Sequence, residues 1–395
     1  MQLSLQLSAW RAARTAAILR TRATLGALAS LSLLLSSCAI FQAPNRGVDY
    51  APAPVAAAPV SGTAKPSAPE RDWRAAGLGL DAAYERGALL ADTFYRSPDL
   101  LRQQVDKSGA MGVNRGWEAA ARKNANWFIE EQRFADTVIG AGVNRNRADL
   151  IDAGLTALEW GFAQQAADGG FPCRDNYVGG SYFVAAAAHS IWLLDATGYA
   201  RSFSPRIDPL RAKLERAALW LANADNARAA AEQHELHSSR YALTGYALAA
   251  AARITGNAAL AQAGETMVRT ALTKLSGSGY FPELKGFDVS FQAEALVYLL
   301  RFYDHAATAE MRREMEAPMR RALAWLESRV SPAGVVQVAG NTRSGRNLER
   351  DRTGQFRRVS AVAVSRAFGL ARTVLSDSKF ESLARAVAMA KQPAS

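Results

Sequence analysis

Two stretches, Asp168-Gly169-Gly170-Phe171-Pro172 and Ser278-Gly279-Tyr280-Phe281-Pro282, repeat one pattern of glycine, aromatic residues and proline. The first leads into an alanine-rich segment that opens at Ser181 and ends in Ile191-Trp192-Leu193-Leu194. The second leads into a similar segment that opens at Ser290. Apolar residues in both segments recur with the spacing of a helix. The pattern therefore predicts a repeated unit in which a glycine-bearing loop precedes a helix.

A third and weaker copy of the loop is Pro332-Ala333-Gly334-Val335-Val336. The spacing between the copies indicates a unit of about 55 residues, which fits a loop, an inner helix, a short turn and an outer helix. A further copy is then expected near Asp225–Tyr241, where a polar stretch leads into a predicted helix over His234–Thr255.

The fold class predicted from this repeat is all-α. Helical spacing of apolar residues covers most of the chain, and no stretch alternates as a strand would. One hairpin cannot bury its own apolar face, so neighbouring hairpins must stack. About six hairpins of this length would close into an (α/α) toroid. The alternative is an open solenoid of the tetratricopeptide type, but its period is shorter and its loops are tighter.

The N-terminal segment has the features of a targeting sequence. Arg11, Arg14, Arg20 and Arg22 precede an apolar run that ends at Leu35-Ser36-Ser37-Cys38. This ending resembles the lipobox of bacterial lipoproteins, and the resemblance implies a lipid on Cys38. An ordinary cleaved signal peptide and an uncleaved anchor are the alternatives.

Three regions follow from this interpretation: a lipoprotein signal peptide over 1–37, a lipidated cysteine with an Ala/Pro-rich disordered tether over 38–71, and the toroid over 72–395. The tether composition resists folding into a core. The residue after the cysteine is Ala39 rather than Asp. The lipoprotein resemblance then places the protein in the cell envelope, on the periplasmic face of the outer membrane.

Charge and composition restrict the classes of ligand that are expected. The net charge is +11, and anionic lipid, anionic polysaccharide or nucleic acid would suit a basic exported protein. No arginine cluster is interleaved with aromatics as in a nucleic-acid module, so we expect no nucleic acid. No phosphate-binding loop and no metal-ligand spacing is present, so we expect no cofactor and no metal. With Cys38 acylated, Cys173 has no partner for a disulfide.

The chain resembles the α/α-toroid carbohydrate-active enzymes, especially polysaccharide lyases of the alginate-lyase and chondroitin-lyase kind. The resemblance rests on the two Gly-aromatic-Phe-Pro loops, Asp288-Val289-Ser290-Phe291-Gln292, a His-to-Tyr stretch over 234–241, and Gly340-Asn341-Thr342-Arg343. It implies a lipid-anchored protein that acts on an anionic polysaccharide by β-elimination. Loops before inner helices would line one mouth of the ring, where helix N-termini favour anions.

In such a lyase a base removes a proton beside a neutralised carboxylate, and an acid protonates the leaving oxygen. His237 and Tyr241, four apart on the predicted helix, are the expected base and acid. Asn341 and Arg343 are the expected carboxylate clamp. Further residues of the same loops and helix starts are expected to bind substrate: Arg174, Asp175, Asn176, Tyr177, Tyr182, His234, Arg240, Glu283, Lys285, Asp288 and Gln292.

Other interpretations of these residues stay open. Two of the carboxylates Asp175, Glu283 and Asp288 would serve a glycoside hydrolase as acid and base. Asp288 is equally suited to cap the helix that opens at Val289. The His-to-Tyr stretch also fits a polar helix start with a buried tyrosine. The chain would then be a non-catalytic glycan-binding lipoprotein of envelope assembly, working beside envelope or polysaccharide-export components.

Overall fold

Helices form the regular structure of the chain wherever a computed structural model describes it, over residues 98–116, 127–345, 348–351 and 354–392. These ranges hold isolated β-bridges and no strand, so the all-α prediction is confirmed for them. They belong to the second of two units, Lys65–Ser395. The predicted signal peptide, Cys38 and the tether lie outside the described residues.

The α-helices are labelled in chain order. They are α1 (Pro98–Arg102), α2 (Ala135–Asn144), α3 (Ala148–Ala163), α4 (Asn176–Thr197), α5 (Ala200–Ala222), α6 (Ala224–Leu236), α7 (Ser239–Thr255), α8 (Ala258–Lys274), α9 (Val289–His305), α10 (Ala309–Ser328), α11 (Ala361–Val374) and α12 (Lys379–Met389). The 3₁₀ helices are Gly112–Asn114 and Ile129–Phe134, and the second leads directly into α2.

The described helices pair as hairpins in two layers. The hairpins are α2–α3, α4–α5, α7–α8, α9–α10 and α11–α12, and their first members, the inner helices, pack against one another in chain order. Second members form the outer helices. This arrangement agrees with the predicted repeat of inner and outer helices, while a closed ring of six hairpins stays a prediction.

Burial distinguishes the two layers. The inner helix α4 is buried on nearly all sides, and its alanine run Ala185–Ala188 lets neighbouring helices approach closely. The outer helix α5 buries one stripe instead, which includes Ile207, Leu210, Leu214 and Leu221. That spacing of three and four residues is the pattern of a helix with one apolar face.

Four loops share one backbone conformation and include both Gly-aromatic-Phe-Pro stretches. In each, a glycine in the left-handed region donates its N–H to the carbonyl three residues before it and packs against a backbone carbonyl of an outer helix. A Cβ at Gly279 would lie 2.6 Å from the Arg321 carbonyl oxygen, so only glycine fits. The four glycines are Gly109, Gly169, Gly279 and Gly334.

A glutamine side chain fastens each of these loops to its outer helix. Gln292 donates from Nε2 to the carbonyls of Gly279 (3.0 Å) and Ala322 (3.2 Å), and its Oε1 accepts the Phe281 N–H at 2.8 Å. The two carbonyl bonds recur at the other three loops, through Gln132, Gln165 and Gln392. Gln292 was expected to bind substrate, but its amide is fully used in holding this loop.

The repeat departs from the prediction in two places. A copy at Gly109 was not expected, because Ala110 and Met111 replace the aromatic residues. No such loop lies in the region 225–241, where a copy was expected. The short helix α6 stands there instead, and Asn223 caps it by accepting the N–H groups of Asp225 and Asn226.

Candidate functional site

His237 lies in a break between two helices rather than on one. α6 ends at Leu236, α7 begins at Ser239, and the backbone at His237 is not helical (φ −137°, ψ 80°). The segment pairs instead with Pro282–Leu284: Ser238 N–H donates to Pro282 at 3.0 Å, and Leu284 N–H donates to Leu236 at 2.5 Å. The expectation that His237 and Tyr241 share a helical face is therefore wrong.

This pairing places Glu283 behind His237. The Glu283 carboxylate has no exposed surface and accepts a hydrogen bond from Nδ1 of His237 at 3.0 Å. It also accepts from Arg343 Nη1 (3.2 Å), from Ser239 N (3.2 Å) and from the Ser239 hydroxyl. A carboxylate only accepts hydrogen bonds, so Nδ1 of His237 carries a proton in this arrangement. In the neutral ring, Nε2 then presents its lone pair.

The other edge of the His237 ring is open. Nε2 makes no hydrogen bond to any residue that the structure describes, and 13% of the side chain is exposed. An imidazole that is oriented at one nitrogen and accessible at the other is the arrangement of a general base.

Arg343 occupies the other side of Glu283. Its guanidinium bonds Glu349 through Nε (2.6 Å) and Nη2 (3.2 Å), and lies 3.7 Å above the centre of the Phe291 ring. Burial lowers the pKa of Arg343, but the hydrogen bonds to Glu349 and the charge of Glu283 raise it by more. The side chain is therefore a fixed, fully charged cation beside His237.

Arg240 adds a second cation to this cluster. Burial lowers the pKa of Arg240, and the positive charge of Arg343 lowers it further, whereas Tyr182, Glu283 and Asp175 act in the opposite direction. The Arg240 side chain is therefore a half-buried cation that interacts electrostatically with Arg343.

A group of carboxyl and hydroxyl side chains adjoins the cations. The Tyr182 hydroxyl donates to Glu294 Oε2 at 3.0 Å, and the Arg133 guanidinium lies 4.4 Å from the centre of the Tyr182 ring. Arg133 also pairs with Glu130. The charge of Arg343 lowers the pKa of Glu294, so the two groups interact electrostatically.

The pKa values in this second group favour protonated forms. Burial raises the pKa of Glu294 above its ordinary value, although the charge of Arg133 and the hydrogen bond from Tyr182 oppose the change. Burial and the charge of Glu294 raise the pKa of Tyr182 well above 10. Tyr182 therefore keeps its proton at neutral pH, and its hydroxyl donates that proton in the hydrogen bond to Glu294.

Glu294, Arg133 and Glu130 were not expected in the site. One signal in the sequence pointed to Glu294, since it is the only charged residue between Val289 and Leu300 in a helix otherwise apolar enough to be buried. A carboxyl group in such a helix needs a partner or a function.

Asp288 holds the loop that carries Arg343. It caps α9 by accepting Ser290 N–H (3.0 Å) and Phe291 N–H (3.4 Å) through Oδ1, which also accepts the Ser344 hydroxyl (2.8 Å). Its Oδ2 accepts the N–H groups of Arg343 (3.0 Å) and Ser344 (2.6 Å). With five donors and no exposed surface, Asp288 is confirmed as a helix cap and has no oxygen left for substrate.

Asn341 is also fully engaged within the protein. Its Oδ1 accepts Val289 N–H at 3.2 Å, and its Nδ2 donates to the carbonyl and hydroxyl oxygens of Ser344, both at 3.0 Å. Asn341 thus fixes the Arg343 loop against the start of α9, and its amide has no hydrogen-bonding group left for a substrate carboxylate.

Tyr241 and His234 lie in a separate cluster. The Tyr241 hydroxyl donates to Glu235 at 3.0 Å, and the His234 ring packs edge-on against Tyr241 and Tyr177, with centroids 5.2 and 5.3 Å away. Burial lowers the pKa of His234 to about 4. Burial, with the hydrogen bond to Glu235, raises the pKa of Tyr241 to about 12.

The remaining candidates from the sequence have two different positions. Arg174 and Lys285 are exposed, and their side chains make no hydrogen bond or ion pair among the described residues. Asp175, Asn176 and Tyr177 line a cavity to which His237 does not contribute.

The described residues contain no group of His, Cys, Asp or Glu arranged to hold a metal ion. None of the helices within those same ranges combines the length and apolar composition needed to cross a bilayer. No protein-family model matches the chain, and no curated protein matches it either.

Proposed function

We propose that this protein cleaves an anionic polysaccharide by β-elimination. The observation that carries the proposal is the geometry at His237: a buried glutamate orients its Nδ1 while Nε2 is free to take a proton, and the same glutamate binds the cation Arg343. Arg240 follows three residues later, and its N–H donates to the His237 carbonyl at 3.0 Å. The proposal includes closure of the hairpins into an (α/α) toroid, with these residues at one mouth. It also includes attachment to the periplasmic face of the outer membrane through Cys38.

The chemistry assigns one role to each group. Arg343 and Arg240 neutralise a uronate carboxylate, which acidifies the neighbouring C5–H bond. His237 Nε2 removes this proton, the electron pair of the C–H bond forms the C4–C5 double bond, and the C4–O bond breaks. The leaving oxygen takes a proton, and Tyr182 is the proposed donor: its phenol is protonated and would turn from Glu294 to the leaving oxygen.

The roles expected for Tyr241 and Asn341 change accordingly. Tyr241 belongs to the cluster of His234, Glu235 and Lys274 rather than to the partners of His237. The Asn341 amide is fully used in holding the Arg343 loop. Tyr182 therefore takes the place of Tyr241 as the proposed acid. Arg240 takes the place of Asn341 as the proposed partner of Arg343.

The test uses the full chain in detergent and a panel of alginate, polygalacturonate, hyaluronan, chondroitin and heparosan. Elimination creates a conjugated unsaturated end, so ultraviolet absorbance should rise on at least one polymer. His237→Gln should abolish the rise, while Arg313→Ala, at an exposed position of the outer helix α10, should leave it unchanged. No rise on any polymer with folded protein would refute the lyase.

Glu294 favours one second function, a glycoside hydrolase. Its pKa is raised by burial, whereas Glu130 pairs with Arg133, so the two carboxyl groups resemble an acid and a base. Release of reducing ends without any absorbance gain, and its loss in Glu294→Gln, would identify hydrolysis.

A further inference from the structure

A cavity lies where the N-terminus of α4 meets α5 and α6. Its volume is about 150 Å³, and its lining includes Asp175, Asn176, Tyr177, Trp220 and Asn226. An engineered protein cavity of about this volume accommodates benzene, so one six-membered ring fits. The cavity shares no lining residue with the His237–Glu283–Arg343 cluster.

The aromatic wall of this cavity is held rigidly. Trp220 donates from Nε1 to Asp168 at 3.2 Å, and its ring lies 6.0 Å from the ring of Tyr177. A Cβ at Gly170 would lie 2.6 Å from the Trp220 ring, so glycine there lets the loop pack directly on the indole. Tyr177 is fixed in turn by its hydroxyl, which donates to the Leu221 carbonyl at 2.9 Å. A rigid aromatic surface binds a ring at little cost in entropy.

Hydrogen-bond donors reach the cavity from the first turn of α4. The N–H groups of Asn176, Tyr177 and Val178 have no acceptor among the described residues, because Asp175 in the N-cap position does not cap the helix. The cap fails since Asp175 itself adopts a left-handed conformation (φ 55°, ψ 42°).

Acceptors border the same space. The Asp175 carboxylate has no hydrogen-bond partner among the described residues, and Asn226 uses only its Nδ2, which donates to the Trp220 carbonyl at 2.9 Å. Asn226 Oδ1 is therefore available. Donors, acceptors and an aromatic surface around one ring-sized space are what a polyol ring requires, because each hydroxyl both donates and accepts.

We infer that this cavity binds one uncharged pyranose ring. The Asp175 carboxylate disfavours a uronate in it, whereas Arg343 and Arg240 favour a uronate at the first site. The Tyr177 ring, which lines the cavity, lies 5.3 Å from the ring of His234, and the His234 carbonyl accepts the His237 N–H at 3.0 Å, so this segment connects the two places. Resting on the proposed function, the inference defines the substrate as a heteropolymer that combines uronates with neutral sugars.

The experiment measures ligand-observed saturation-transfer NMR on the full chain with uncharged methyl pyranosides of glucose, galactose, mannose and N-acetylglucosamine. At least one should show transfer, and Trp220→Ala and Asp175→Ala should each weaken it roughly tenfold. The control is Leu219→Ala, because Leu219 is an exposed neighbour of Trp220 outside the cavity lining.

The variants separate this inference from the lyase. Arg343→Ala should leave pyranoside transfer intact while it weakens binding of a uronate oligomer, and transfer without elimination would refute only the lyase. Absence of transfer from all four glycosides, or transfer unchanged in Asp175→Ala, would refute the cavity as a sugar site. Circular dichroism verifies folding of Trp220→Ala, and Asn226→Leu replaces it if it unfolds.

Discussion

Glu283 and His237 are bonded at 3.0 Å although Glu283 is completely buried and His237 reaches solvent. A buried carboxylate costs free energy unless donors surround it, and three side chains and one backbone N–H do so here. This pair links the folding of the Pro282–Leu284 segment to the orientation of the imidazole. Its geometry is what a base requires: one nitrogen fixed, the other available.

Replacing Glu283 by Gln should reduce the rate without removing the site. The amide is nearly isosteric but uncharged, so it no longer fixes the His237 tautomer or balances Arg343. We expect kcat to fall roughly tenfold to a hundredfold in Glu283→Gln. In His237→Gln we expect kcat to fall by about 10²–10⁴, which removes the absorbance rise. Steady-state kinetics on the best polymer measures both. Ser239→Ala removes another donor to Glu283 and is the control; an unchanged kcat in Glu283→Gln would exclude the positioning role.

Arg343 should not be replaceable by lysine. The guanidinium bonds Glu283 and Glu349 and lies on the Phe291 ring, and an ammonium group cannot keep this geometry. Arg343→Lys should raise KM for the anionic polymer by about tenfold or more and weaken its dependence on salt. Kinetics at two ionic strengths gives both quantities. Equal KM values in the variant and the wild type would show that Arg343 serves structure alone.

The repeat of helices and loops was largely predictable from the sequence, because it depends on local signals. Apolar spacing identified the inner and outer helices, and glycine followed by aromatic residues identified the loops at Gly169 and Gly279. The loop at Gly109 escaped because its conformation requires only the glycine and a distant glutamine, Gln132. A glutamine donating to two carbonyls far apart in the sequence has no local signature.

The site was predictable only in part, for a physical reason. His237, Glu283 and Arg343 were among the expected residues and are joined by hydrogen bonds. Arg240 and Tyr182 were also expected, and both interact electrostatically with Arg343. Their roles depended on pairing between segments 46 residues apart, which breaks the helix expected over His234–Thr255 and moves Tyr241 elsewhere. Local propensity favours a continuous helix there, and only tertiary contacts override it.

Gly279 and Gly277 offer a matched pair within one loop. A Cβ at Gly279 would meet the Arg321 carbonyl at 2.6 Å in a backbone with φ 94°, whereas Gly277 has open space around it. Gly279→Ala should lower the free energy of unfolding by about 2 kcal/mol or more, and Gly277→Ala should change it by less than about 0.5 kcal/mol. Urea denaturation compares them. Equal stability of the two variants would contradict the assigned loop geometry.

Replacing Asp175 by glycine should stabilise the fold and weaken sugar binding. A left-handed conformation is unfavourable for a residue with a Cβ, so Asp175→Gly should stabilise the fold by up to about 1 kcal/mol. The same change removes a proposed sugar contact and should weaken pyranoside binding. The control is Ser376→Gly, a second left-handed position (φ 53°), which should stabilise without affecting binding. Thermal denaturation and NMR provide the two readouts, and tighter binding in Asp175→Gly would contradict the assignment.

His234 should make the protein sensitive to mild acid. Its folded pKa is about 4 because burial disfavours the charged ring, whereas the unfolded pKa is near 6.5. Between these values the unfolded chain binds the additional proton, so stability falls as pH falls from 6.5 to 4, by about 3 kcal/mol in total.

His234→Phe keeps the ring between Tyr177 and Tyr241 and removes the buried Nε2, which has no hydrogen-bond partner among the described residues. The variant should match or exceed the wild type at pH 7 and should lose less stability than the wild type on acidification. Urea denaturation at pH 7, 5.5 and 4.5 measures the difference between the two proteins, which cancels the titration of all other groups. Parallel curves for the two proteins would show that His234 does not titrate as its burial requires.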